Sequence, residues 1–178
     1  GALCDEPLNV TKCKTIDVEV PADAEIVIEG IVLPNVREEE GPFGEFTDSY
    51  VPVMENHVFQ VKAITYRKDA IYHSIYAGGQ EDLYLLGLPI EAEIYQHVTK
   101  FAPNQITGIS TMPFVFGCVI GLKKQSEDQS KNVILSALAS YSWIKMCIVV
   151  DDDVDIYDAA DVLWAVQTRC CPDKDIIF

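Results

Sequence analysis

Two carboxylates, Glu40 and Glu45, close the two ends of the segment EGPFGE. Between them, Gly41 and Gly44 permit backbone angles closed to other residues, Pro42 fixes its own φ, and Phe43 supplies an apolar wall. A loop of this composition can hold two carboxylates near one point. An apolar wall beside one acid and a cation beside the other would divide the pair into a proton donor and an electrostatic partner. The same residues also spell an ordinary turn. Gly-Pro dipeptides are common turn punctuation, and Glu40 ends an acidic run, Glu38-Glu39-Glu40, of the kind found on solvated faces. Composition alone leaves both readings open.

The remaining reactive residue types form weaker patterns. Asp151-Asp152-Asp153-Val154-Asp155-Ile156-Tyr157-Asp158 resembles a calcium loop until its spacing is tested. An EF-hand starting at Asp151 needs Gly at its sixth position and Glu at its twelfth, where Ile156 and Val162 stand. A strand end followed by a helix capped by Asp155 or Asp158 explains the run better. His57, His73 and His97 show no metal-ligand spacing, so no metal site within the chain is expected. Lys123-Lys124 offers a point charge for a phosphate or simply a solvated strand end, and Gly78-Gly79 offers close backbone approach to a ligand or a boundary turn. The chain has no G-x-S-x-G, no P-loop and no G-x-G-x-x-G.

These groups need a framework. Alternation predicts strands over 14–20, 25–33, 58–66 and 70–76, with a turn at Pro21-Ala22-Asp23 and a hairpin at Arg67-Lys68-Asp69, a meander of at least four strands. After Gly79 the texture changes: Leu83, Leu86, Ile90, Ile94 and Val98 recur three or four apart, as on one helix face. A strand from Phe114 to Leu122, a helix over 128–140, a strand over 143–150 and a helix beginning near Tyr157 follow. Strands alternating with helices predict an α/β layer from residue 80 onward, so the fold class is α+β with a boundary near residue 80.

The totals exclude some partners. A net charge of −15 over 178 residues repels nucleic acid and anionic membrane surfaces, and no stretch approaches the roughly 20 apolar residues of a membrane helix. Cys4, Cys13, Cys118, Cys147, Cys170 and Cys171 lack C-x-x-C spacing, and Cys118 and Cys147 sit in apolar runs; reduced thiols in a cytoplasmic protein are expected. The opening Gly1-Ala2-Leu3-Cys4-Asp5-Glu6-Pro7 carries neither a basic nor an apolar leader pattern and no initiator Met, as a fragment would.

The succession VPADAEIVIEG, EGPFGEFT, AITYRKDAIY, STMPFVFGCVIGLKK and CIVVDDDVDIYDAADVLWAVQTR resembles, in order and over essentially the whole chain, the C-terminal part of the UbiD family of reversible decarboxylases. The resemblance implies prenylated FMN as cofactor and an aromatic, heteroaromatic or α,β-unsaturated carboxylic acid as substrate. It implies that Glu45 donates the proton to the decarboxylated carbon and that Glu40 pairs with an arginine of a Glu-Arg-Glu network. Gly78, Leu86 and Lys124 fall where the family lines its flavin and substrate pocket or meets the cofactor phosphate. Residues 1–79 would then be the second half of a flavin-binding split β-barrel, and 80–178 the C-terminal α/β domain, which forms homodimers or larger homo-oligomers. The family's arginine, and its ligands for a divalent metal (Mn or Mg) and potassium, lie in an N-terminal portion with no counterpart here, and neither Arg37 nor Arg67 takes their place. Thr47-Asp48-Ser49-Tyr50 departs from the Thr-Gly-Tyr pattern of many members. Two other readings remain beside the enzyme: a noncatalytic assembly module, or one subunit of a split decarboxylase whose N-terminal partner completes the site.

Overall fold

The computed structural model describes residues 4–111 and 115–177. Phe114, the expected start of a strand, lies outside the described residues, as do Gly1, Ala2 and Leu3. The chain divides into two compact units, Gly1–Ala77 and Gly78–Phe178.

The first unit is antiparallel β. Its spine is a long ribbon in which β3 (Ile26–Glu40) pairs with β6 (Met54–Tyr66), from Ile26 opposite Tyr66 to Glu40 opposite Met54. The register shifts twice, between Glu29 and Gly30 and between Val32 and Arg37, where Pro34 and Asn35 (φ 59°) interrupt the pairing. A short hairpin, β4 (Phe43–Gly44) with β5 (Tyr50–Val51), grows from the far end of the ribbon. At the near end β1 (Val10–Lys12) pairs with β2 (Glu19–Pro21), and the expected turn forms, with Ala24 N–H donating to the Pro21 carbonyl at 3.2 Å.

Two expected strands are corrected. Residues 14–18 do not join the strand that begins at Glu19. Their backbone is committed elsewhere: the N–H groups of Lys14 and Thr15 donate to the Glu29 carboxylate at 2.8 and 2.6 Å, and the Thr15 hydroxyl adds a third bond at 2.7 Å. Residues 70–76 alternate like a strand yet form none, so the hairpin at Arg67–Asp69 is absent; β6 ends at Tyr66, and Ile71 N–H is held instead by the Glu25 carboxylate at 3.0 Å.

The second unit is an α/β layer. β8 (Gly117–Leu122) is central, with β7 (Ile106–Ser110) antiparallel on one side and β9 (Met146–Asp151) parallel on the other. Parallel pairing needs a crossover, which α2 (Gln129–Ser140) supplies. Side chains of β8 alternate between two cores. Cys118, Ile120 and Leu122 meet Ile90, Ile94 and Val98 of α1 (Gln80–Val98) and Val133 and Ala137 of α2. Val119, on the opposite face, meets Val150, Val154, Ile156 and the Val162 and Ala165 of α3 (Ala159–Arg169). Asp158 caps α3 as expected, accepting from Ala160 N–H at 2.8 Å. β9 begins later than the expected residue 143, because Ile144 N–H closes a turn on Tyr141 and Lys145 N–H reaches the Phe116 carbonyl at 2.7 Å. β7 and the short α4 (Pro172–Asp175) carry no periodic signal and were not expected.

Candidate active site

The Glu40 carboxylate stands on the last residue of β3, and the chain leaves the ribbon at once. Gly41 has φ 99°, in the region that favours glycine, and a side chain there would meet the Pro52 carbonyl and the Val53 backbone at 3.4 and 3.6 Å. Pro42 follows through a cis peptide bond and delivers Phe43 and Gly44 into the hairpin. Glu45 opens the hairpin loop. Its N–H donates to the Ser49 carbonyl at 3.0 Å and its carbonyl accepts from Asp48 N–H at 3.1 Å. Asp48 closes the loop with φ 58°, a conformation that aspartate tolerates better than most residues, and the Thr47 and Ser49 hydroxyls are bonded at 2.7 Å. The corner at Gly41-Pro42 therefore separates two mounts, a ribbon end for Glu40 and a loop for Glu45.

Both acids are exposed, as is Phe43, and among the described residues no hydrogen bond joins the two carboxylates. Their surroundings differ. Asn56 Nδ2, from β6, donates to Glu40 Oε2, whereas the Glu45 carboxylate accepts no bond among the described residues. Asn56 escaped the sequence reading: its closeness to Glu40 depends on a strand register that two irregularities set.

In the second unit, Gly78 has φ 79° and donates its N–H to Asp82 Oδ2 at 3.0 Å, so that donor is already used. Leu86 lies half-buried on α1 against the first core. Lys124 follows β8, its Nζ 3.7 Å from the Glu127 carboxylate. Gly87, one turn of helix before Glu91, packs directly on Thr111, whose N–H and hydroxyl both donate to Glu91 Oε1, at 2.8 and 3.0 Å. Among the described residues no three His, Cys, Asp or Glu side chains gather as metal ligands. A cleft of about 180 Å³ at the near end of the ribbon is bordered by Glu29 and Cys13. The bonds from Lys14 and Thr15 hold the Glu29 carboxyl below the usual range, while burial and then the Glu29 charge push the Cys13 thiol up. The residues singled out from the sequence thus stand as two exposed acids on the first unit and three residues, Gly78, Leu86 and Lys124, on the second.

Comparison with known proteins places this geometry in context. The chain is 39% identical, over 96% of its length, to anhydromevalonate phosphate decarboxylase of Methanothermobacter thermautotrophicus, and covers 41% of that protein. It is 35% identical to the Methanosarcina mazei enzyme of the same name, covering 42% of it. Among solved structures, an evolved dimeric form of the UbiD-class enzyme HmfF from Pelotomaculum thermopropionicum, in complex with prFMN, matches 99% of this chain and 42% of its own at 42% identity and a TM-score of 0.94. The apo 3,4-dihydroxybenzoic acid decarboxylase AroY of Klebsiella pneumoniae matches 98% of this chain and 38% of its own at 34% identity and a TM-score of 0.92. The chain thus spans about two fifths of each relative. Residues 1–80 match the 3-octaprenyl-4-hydroxybenzoate carboxy-lyase Rift-related domain and residues 83–178 the C-terminal domain of the same carboxy-lyase, so the chain belongs to the UbiD family.

Proposed function

We propose that this chain is the acid-bearing part of a prenylated-FMN-dependent decarboxylase acting on an aromatic, heteroaromatic or α,β-unsaturated carboxylic acid. The observation that carries the reading is the pair Glu40 and Glu45, mounted on a ribbon end and on a loop around one glycine corner, within a chain of this family. Glu45, on the hairpin loop and with no bond on its carboxylate, is the proton donor. As carbon dioxide leaves, the electron pair of the broken bond remains on carbon, takes the Glu45 proton, and leaves a carboxylate that regains a proton from water. Glu40, its carboxylate held by Asn56 of β6, acts as the electrostatic member. Prenylated FMN, when bound, supplies the electron sink for loss of carbon dioxide.

Residues 1–79 form the second half of the flavin-binding split β-barrel and 80–178 the C-terminal α/β domain in this reading. Gly78 and Leu86 contribute pocket wall, and Lys124, whose Nζ lies 3.7 Å from the Glu127 carboxylate, is the candidate contact for the cofactor phosphate. The arginine and the divalent metal and potassium ligands come from a portion of the parent protein outside this chain, joined to it or supplied as a separate subunit. The assembled enzyme is a homodimer or larger homo-oligomer. Free thiols at Cys4, Cys13, Cys118, Cys147, Cys170 and Cys171 fit a cytoplasmic location. In the full-length enzyme, Glu45→Gln abolishes product formation while the flavin absorbance of the purified protein persists; full turnover by that variant would refute the assigned donor.

A further inference from the structure

We infer that Asn56 is a positioning residue for Glu40, holding one carboxylate oxygen so that the other is free for a cationic partner. The inference rests on the reading of Glu40 as a member of the acid pair. The two residues are brought together by register. Glu38 lies opposite Asn56 and Glu40 opposite Met54, so Glu40 and Asn56 are diagonal neighbours on one face of the ribbon. The four pairs from Arg37–His57 to Glu40–Met54 are unbroken, which makes this end of the ribbon a firmer mount than the loop that carries Glu45. Asparagine is depleted in strands, so its place here calls for a side-chain reason, and its amide donates to Glu40 Oε2.

The chemistry of the donor matters. A carboxylate offers about four acceptor sites on two oxygens, and Oε1 has no hydrogen-bond partner among the described residues. A lysine at residue 56 would neutralise Glu40; a neutral amide orients it and leaves its full charge for a guanidinium or another cation at Oε1. Asn56 thus sets the direction of Glu40 without competing for its charge.

The test has two arms. In the full-length enzyme, the Asn56 side-chain amide gives a pair of resonances in a 15N-correlated NMR spectrum, one shifted downfield by the carboxylate; Glu40→Gln removes that shift, and Asn56→Gln keeps an amide donor but moves it. In the full-length enzyme, Asn56→Ala lowers kcat about tenfold with KM within about twofold, the signature of a mispositioned group. Asn56→Asp sets a like charge beside Glu40 and lowers kcat further, and Asn56→Gln recovers part of the loss. An amide resonance indifferent to Glu40→Gln, or wild-type kcat in Asn56→Ala where Glu40→Gln is inactive, overturns the positioning role and leaves the acid pair standing. Full activity of Glu40→Gln overturns the acid pair itself, and the positioning role with it.

Discussion

Glu29 is the single fully buried side chain among described residues 4–77, with 1% of its surface exposed. A carboxylate can stand there because three donors meet it, the N–H groups of Lys14 and Thr15 and the Thr15 hydroxyl. The Lys14 N–H bond, with the Thr15 hydroxyl next, holds its folded-state carboxyl below the usual carboxylate range. A depressed folded value means that the stabilisation is complete above the unfolded pKa of about 4.3 and is lost as pH falls through the lower folded value. Glu29→Gln should therefore lower the melting temperature of the chain at pH 7 and leave a shallower decline on the acid side than the wild type shows. Equal acid slopes for the two proteins would remove Glu29 from that role. Asp153 is depressed by its bond to Arg169, with the same sign, but the pair is exposed and contributes little. Gly87 poses a contest between two effects. Alanine would gain helix propensity of about 1 kcal/mol, yet its Cβ would come 2.4 Å from Thr111 Oγ1, a buried hydroxyl committed to Glu91. Displacing that hydroxyl costs about 1–3 kcal/mol and the overpacking about 1–3 kcal/mol more, so Gly87→Ala should be net destabilising by about 1–5 kcal/mol in urea unfolding.

At the level of elements, helices and strands were not equally legible. Ile90, Ile94 and Val98 predicted a buried helix face and are 1%, 0% and 0% exposed, because helical periodicity reports burial along one continuous segment. The Asp158 cap could likewise be read locally, and Asp158→Ala should cost about 1 kcal/mol by thermal or urea denaturation, with the loss confined to the Gly78–Phe178 unit. Strands report less. Residues 14–18 alternate as a strand does, but the sequence carries no sign that their N–H groups are taken by a glutamate fourteen or fifteen residues away. Residues 70–76 alternate too, with Ile71, Tyr72 and Tyr76 at 72%, 79% and 84% exposure, and alternation cannot reveal whether a pairing strand exists. The candidate site divides on the same line. The glycines and proline of EGPFGE announced a corner between two acids, a local property, whereas the approach of Asn56 to Glu40 depends on a register reset at Pro34 and Asn35 that no local pattern encodes.

The molecule as a whole is lopsided in its burial. Every buried hydrophobic side chain among the described residues lies between Ile90 and Ala165, inside the second unit. The first unit instead exposes one continuous face of its ribbon. Ile26, Ile28 and Val32 of β3 share that face with Tyr66, Ile64 and Phe59 opposite them and with Val61 opposite Gly30, and their exposures run from 36% to 73%. A two-stranded ribbon is marginal in water, and one that leaves its apolar face open has little with which to offset the entropy of ordering its chain. The helices on both faces of the β7–β8–β9 sheet give the second unit two cores drawn entirely from its own residues. Residues 78–178 expressed alone should therefore fold cooperatively, with an unfolding enthalpy of roughly 60–80 kcal/mol by calorimetry, as expected for about 100 residues. Residues 1–77 alone should show no cooperative transition and should bind a hydrophobic dye. No melt from 78–178 would mean that stability is distributed against the pattern of burial, and a sharp melt from 1–77 that the β unit draws its order from within its own ribbon.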